Sequence, residues 1–189
     1  MRYIKTVVIM VLLLLTVWVT QSPALSDSDF QTMGRRYGVS PTLLAAIAIA
    51  ESQMGKILGT CEVTQAVADD DAQLRALKKI ARYTRRALAE FKGSYAGAMG
   101  YMQIMPATFH EYGQDGDGDG IKDPLNPYDS LATAAYYLAR KIAEGGSAQA
   151  ALLNYNNSTE YCQKVLKIYA ELEAESKFAS AEVKPTLKE

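Results

Sequence analysis

From Ser40 onward the apolar residues of this chain recur at spacings of three and four, a period that restricts the fold to packed helices. Ser40-Pro41 reads as a helix start, with a capping residue ahead of a proline at the first helical position. Leu43, Leu44, Ile47, Ala48 and Glu51 then share one face, and Gly55 is a natural terminator. A longer helix is predicted from the stripe Leu74, Leu77, Ile80, Ala81, Thr84, Leu88 and Phe91, with Gly93 ending it. Pro106 opens a short helix through Phe109. Asp129-Ser130 caps another, whose stripe is Leu131, Ala134, Ala135, Leu138 and Ile142 and which stops at Gly145-Gly146. A last pair covers Ala148 to Leu153 and Thr159 to about Leu172. No stretch alternates convincingly as a strand, so the expectation is a single all-α domain over residues 25–172. The charged segment 173–189 is expected to fray.

The 189 residues suffice for one domain with its own core, and a 49% hydrophobic, 22% charged composition is that of a globular chain. A net charge of −1 carries no bulk attraction to nucleic acid, so no nucleic-acid partner is expected and a ligand must be held by local contacts. The first 24 residues differ from the rest. Arg2 and Lys5 precede an unbroken apolar run from Val7 to Leu15, followed by Ser22, Pro23 and Ala24. That layout is a secretory signal cleaved near Ala24, or its uncleaved form as a membrane anchor. The run is short of the roughly 20 apolar residues that a span requires. Export places the two cysteines, Cys61 and Cys162, in an oxidising compartment, where an isolated pair reads as one disulfide; two buried free thiols are the alternative. A bridge closing a loop of about 100 residues would stabilise by up to roughly 4–5 kcal/mol.

Glu51 is the first residue that local rules leave unexplained. It follows the apolar run Leu43 to Ala50 and lies in the last turn of its helix, where the dipole disfavours a negative charge. Desolvation and dipole both push its pKa upward, which suits a general acid; the plainer reading is a solvated glutamate at a helix end. The stretch Gly93 to Pro106 combines small residues with Tyr95, Tyr101 and Gln103, which suits close approach to a sugar ring and its hydroxyls, or simply a glycine-rich turn. Asn154 to Ser158 is an amide-rich turn between helices. His110 reads as structural. In the loop Asp115 to Asp123, Asp115, Asp117 and Asp119 fall at the first, third and fifth positions of an EF-hand-like loop, with Gly120 at the sixth. The Ile121 carbonyl would be the seventh-position ligand and Asp123 occupies the ninth. Asn126 stands where an EF-hand ends in glutamate, so the motif is incomplete and an ordinary polar turn is the alternative.

Taken in order, these motifs resemble the bacterial lytic transglycosylases, glycan-cleaving enzymes of lysozyme-like fold. Lys92 to Gly100, Asp115 to Gly120 and Asp129-Ser130-Leu131-Ala132 are similar to the B-type membrane-bound branch. Met102 to Pro106 and Asn154-Tyr155-Asn156 are closer to the soluble branch, and Glu51-Ser52 fits both. The resemblance runs from about Tyr37 to Tyr169. It implies that Glu51 is the single catalytic acid and base and that Ser94 orients its carboxylate. It further implies that Gln103 contacts substrate and that Tyr155 and Asn156 line the cleft; Tyr95 is placed with them as a substrate contact. The partner implied is the peptidoglycan glycan strand, cut between N-acetylmuramic acid and N-acetylglucosamine with a 1,6-anhydro product. A goose-type muramidase and a non-catalytic wall-binding factor are the alternatives. No cofactor is expected in the chemistry, a structural calcium is expected at Asp115, Asp117, Asp119, Ile121 and Asp123, and the chain is expected to be a monomer of the periplasm or cell envelope. Asn157 and Ser158 depart from the small residues that often follow Tyr-Asn in the soluble branch, and the chain is much shorter than B-type members.

Overall fold

The structure, a computed structural model, describes residues 25–182, with side chains as far as residue 177. The expected signal or anchor, residues 1–24, lies outside the described residues, as does 183–189. Helix α1 (Asp27–Tyr37) starts at Ser26, whose N–H donates to the Asp29 carboxylate at 2.7 Å, and stops at Gly38 in the left-handed conformation. Helix α2 (Pro41–Ser52) follows, with Ser40 Oγ accepting the Leu43 N–H at 3.3 Å. Because α2 is apolar almost all round, it must be covered on most sides, and α1, α6 and α8 all pack on it. Leu44, Ala46, Ile47 and Ala48 are fully buried there. Each large aliphatic side chain so buried contributes about 1.5–3 kcal/mol.

Two strands interrupt the helical plan. β1 (Cys61–Glu62) pairs antiparallel with β2 (Lys92–Gly93), Cys61 opposite Gly93 and Glu62 opposite Lys92. A strand of two residues shows no alternation, so the sequence carried no sign of it. Between them lie α3 (Val63–Ala66) and α4 (Asp71–Thr84). The predicted long helix is shorter than expected. It ends at Thr84 because Arg85 turns left-handed (φ 58°), and Leu88–Glu90 forms a single 3₁₀ turn whose Ala87 N–H is held by the Glu90 carboxylate at 2.7 Å. Leu88 and Phe91 keep the three-residue spacing in that turn and so imitate a continuing helix; Phe91 is fully buried and its carbonyl accepts the Val63 N–H.

The remaining helices are α5 (Pro106–Tyr112), α6 (Pro127–Gly145), α7 (Ala148–Tyr155) and α8 (Thr159–Glu182). Asn126, not Asp129, caps α6, its side-chain oxygen accepting the Tyr128 N–H at 2.9 Å. Asp129 lies inside the first turn and is fully buried. The charged tail is helical as far as Glu182. The cysteines are also corrected. Cys61 is an exposed free thiol in β1, which packs on β2 and α3, while Cys162 is a buried free thiol in α8, which packs on α2 and α7. They belong to different parts of the fold and do not form the expected bridge. No helix among the described residues is long and apolar enough to cross a membrane.

Candidate active site

Glu51 stands one residue before the end of α2 and is half-buried. Burial lifts its pKa above the ordinary carboxylate range, while the Tyr161 hydroxyl and the Lys164 ammonium act more weakly in the opposite direction. Just beyond it the backbone reverses through three consecutive left-handed residues, Gln53 (φ 50°), Met54 (φ 59°) and Gly55 (φ 81°). Two of them are not glycine, a conformation that persists only when surrounding contacts enforce it. Here Ser52 Oγ accepts the Gly55 N–H at 2.8 Å, and a Cβ at Gly55 would lie 2.6 Å from the Tyr101 ring.

The glycine-rich stretch is a packed hairpin. Met99 and Ile104 exchange backbone hydrogen bonds at 3.0 Å, Met99, Tyr101, Met102 and Ile104 are buried, and the Met102 N–H donates to Ser130 Oγ at 2.9 Å. Gly100 (φ 71°) admits no side chain, since a Cβ would lie 1.9 Å from the Pro124 carbonyl oxygen. From this hairpin Gln103 donates to the carbonyls of Gly100 (2.8 Å) and Leu58 (3.2 Å), tying it to the loop that leaves Glu51. The Tyr155 hydroxyl donates to the Met102 carbonyl at 2.7 Å, and its ring meets Tyr137 edge-on at 5.7 Å. Gln103, Tyr137, Asn154 and Tyr155 wall a cavity of about 50 Å³. Tyr155 is also within the electrostatic reach of Glu51, which with burial raises its pKa far above normal.

Gln103 and Tyr155 thus share one small cavity, and Glu51 acts electrostatically on Tyr155. The others are placed differently. Asn156 ends α7, exposed, its carbonyl accepting the Ser158 N–H at 2.7 Å. Tyr95 is 89% exposed. Ser94 Oγ accepts the Ala98 N–H at 3.1 Å within its own turn and makes no bond to Glu51. The group that does face the Glu51 carboxyl is Tyr161, which the sequence reading missed. Its hydroxyl is buried without a hydrogen bond of good geometry, and burial followed by the charge of Glu51 raises its pKa beyond the usual phenol range. Its signal was positional only: it occupies the first turn of α8, immediately after the amide-rich turn.

Residues 24–150 match the transglycosylase SLT domain family. The chain belongs to that family. The SLT domain here is 30% identical over 112 residues to the membrane-bound lytic murein transglycosylase B of Escherichia coli (strain K12), covering 53% of this chain and 31% of that protein. The match therefore spans about a third of that relative's length. The fold matches the Escherichia coli lytic transglycosylase SLT35 solved in complex with calcium (TM-score 0.70, 19% identity, 79% of this chain and 71% of that one). It also matches SltB3 of Pseudomonas aeruginosa solved with NAG-anhNAM-pentapeptide (TM-score 0.69, 22% identity, 77% and 60%). These likenesses establish the lysozyme-like helical fold. Glu51, Ser94, Gln103 and the acidic loop fall inside the matched residues, whereas Tyr155, Asn156 and Tyr161 lie beyond residue 150.

The acidic loop of this SLT domain sits between α5 and α6. Asp115 accepts the N–H groups of Gly118 (2.7 Å) and Gly120 (2.9 Å). One carboxylate oxygen each from Asp115, Asp117 and Asp129 lies within 4.8 Å of the others. No Lys or Arg among the described residues forms an ion pair with any of the three. Asp123 does not join them. Arg86 holds its Oδ2 through Nη2 (2.6 Å) and Nε (2.7 Å), and its Oδ1 accepts the Leu125 N–H. Asp119 Oδ1 is occupied by the Ile121 N–H at 2.7 Å and also lies outside the group. Asp129 takes their place: both its oxygens accept backbone N–H groups, from Gly116 and Asp123 at 2.7 Å, and burial, with the Asp117 and Asp115 charges adding, pushes its pKa up to about 6. A larger cavity, about 580 Å³, is lined by Arg86, Asp117, Asp119 and Asp123, away from Glu51.

Proposed function

We propose that this domain is a lytic transglycosylase of peptidoglycan with Glu51 as its one catalytic carboxyl. The observation that carries the reading is a desolvated carboxyl, protonated more readily than usual, at the end of an apolar helix and within electrostatic reach of Tyr155 and Tyr161. In the reaction, Glu51 gives its proton to the glycosidic oxygen as the bond from C1 of N-acetylmuramic acid to that oxygen breaks. The sugar's acetamido group stabilises the cation that develops at C1. The ionised Glu51 then takes the proton of the sugar's own O6 hydroxyl, and O6 bonds to C1. The products are a 1,6-anhydro end and a free N-acetylglucosamine hydroxyl; Glu51 is again protonated and no water is consumed. Tyr161, whose hydroxyl faces the carboxyl, is ready to donate to it once charge forms there. Tyr155 and Gln103 form the wall against which a sugar would lie, exposed Asn156 and Tyr95 are offered to substrate as further contacts, and Ser94 braces its own turn.

The acidic loop fits a calcium ion held by Asp115, Asp117 and Asp129, which form no ion pair with a Lys or Arg among the described residues, with the ion relieving the charge on buried Asp129. Its contribution is structural, fixing the chain between the Gln103 hairpin and α6. We place the domain in the cell envelope, exported or tethered by the apolar segment 7–15, acting as a monomer on glycan strands. Mass analysis of fragments released from purified peptidoglycan tests the activity. Anhydro ends are expected; reducing ends would mean water takes the place of O6, and no release would mean a wall-binding module.

A further inference from the structure

The side chain of Lys164 reaches from α8 across 114 residues of sequence to the carbonyl of Ala50, 3.0 Å away, in the residue just before Glu51. At the end of α2 the Ala48 carbonyl is taken by the Met54 N–H, the Ile49 carbonyl by the Gln53 N–H, and that of Ser52 by the Ile57 N–H. The Ala50 carbonyl instead receives a charged donor from another helix. A cation at a helix C-terminus opposes the negative end of the helix dipole, which is the same field that disfavours an ionised Glu51.

The groups around Glu51 narrow the role further. α8 contributes Tyr161 and Lys164, and α7 contributes Tyr155; α1 and α6, also packed on α2, add no charge to its field among the described residues. Both tyrosines are held neutral by burial, so among the described residues Lys164 is the one full charge acting on the carboxyl. It makes no ion pair with Glu51 and so leaves the carboxyl free to reach a substrate oxygen.

We propose that Lys164 is a positioning residue for Glu51: it clamps the last turn of α2 to α8 and, through space, stabilises the carboxylate that proton donation leaves behind. The inference rests on Glu51 being the acid. Glu51 itself must be ionised for the second half of the reaction, when it withdraws the O6 proton. A site built only from burial and neutral tyrosines would hold it protonated too firmly to complete the cycle.

The experiment follows the titration of the Glu51 carboxyl by carbon NMR, with the Glu51→Gln spectrum fixing the assignment, and in parallel the pH dependence of release from purified peptidoglycan. The variants are Lys164→Arg, Lys164→Gln and Lys164→Met. Arg keeps charge and donor and should reproduce the wild-type midpoint. Gln keeps a donor without charge and Met keeps neither, so both should move the midpoint and the alkaline limb of activity to higher pH. Salt should shrink the difference, because the cation is exposed. A midpoint in Gln and Met that superimposes on wild type would overturn the electrostatic role, as would a shift in Arg equal to that in Met. The titration reads the proposal even if Glu51→Gln retains activity, in which case the catalytic assignment fails and the placement of Lys164 does not.

Discussion

The carboxyl of Glu51 sits where apolar packing from three helices meets a turn that no longer follows helical geometry, and both conditions set its chemistry. Replacing it by glutamine keeps shape and volume but removes the proton that must be given and recovered. Glu51→Gln should lower release from peptidoglycan by at least about 10²-fold. Its folded pKa lies above the unfolded value, so the ionised form weakens the fold as pH rises through that interval. The variant should therefore melt at the same temperature as wild type in acid and no lower at neutral pH; calorimetry at both checks it. Tyr161→Phe separates structure from chemistry in a different way. The hydroxyl is buried with no good partner, and such a group costs roughly 1–3 kcal/mol. Removing it should leave the melting temperature unchanged or raised while activity falls, because the carboxylate loses its nearest donor. A variant of full activity would leave Tyr161 a packing residue only.

At the scale of elements, the segment from α5 to α6 depends on carboxylates that face one another. Asp129 carries a pKa near 6 against 3.8 for the free group, so its folded form prefers the proton. The sign follows: the stability it permits is complete below about pH 4 and is lost as pH rises to about 6. Chelated protein should show that loss in its melting temperature over this interval. Protein saturated with calcium should not, since the ion compensates the charge as it forms. Identical curves with and without millimolar calcium would mean that the loop is a polar turn. Much of this element was legible, because Asp115, Asp117 and Gly120 stand at spacings that only a tight loop satisfies. Asp129 was hidden because its role depends on where α6 begins: read as a cap it faces solvent, but one turn inside the helix it points into the loop. Asp123 misled for the opposite reason. Its position in the motif was right, and the Arg86 guanidinium that claims it arrives from the end of α4, 37 residues earlier. Helix stripes were legible wherever burial was one-sided; α4 was overextended because a 3₁₀ turn repeats every three residues and keeps Leu88 and Phe91 on the buried side.

Across the whole molecule, the cysteines offer a measurement that local probes do not. Cys61 is exposed in a two-residue strand, whereas Cys162 is 2% exposed, its sulfur 4.0 Å from the Gln149 carbonyl. It lies where α8 packs on α7, and α8 in turn covers α2, the helix that holds Glu51. Opening that site requires α8 to leave the core, so its exposure reports loss of the tertiary fold rather than local fraying. A thiol reagent added to native protein should label one cysteine at once, at Cys61. The second should react only as fast as the domain opens, and denaturant should bring both to completion. If calcium organises the acidic loop and the core is one cooperative unit, the slow phase should become slower in calcium, although the loop and Cys162 belong to different elements. Mass mapping of the labelled peptides identifies which sulfur reacts first. Two fast thiols would mean that α8 is not seated on α2. No reactive thiol in either state would mean that the two are joined after all, and that the chain had moved to bring β1 and α8 together.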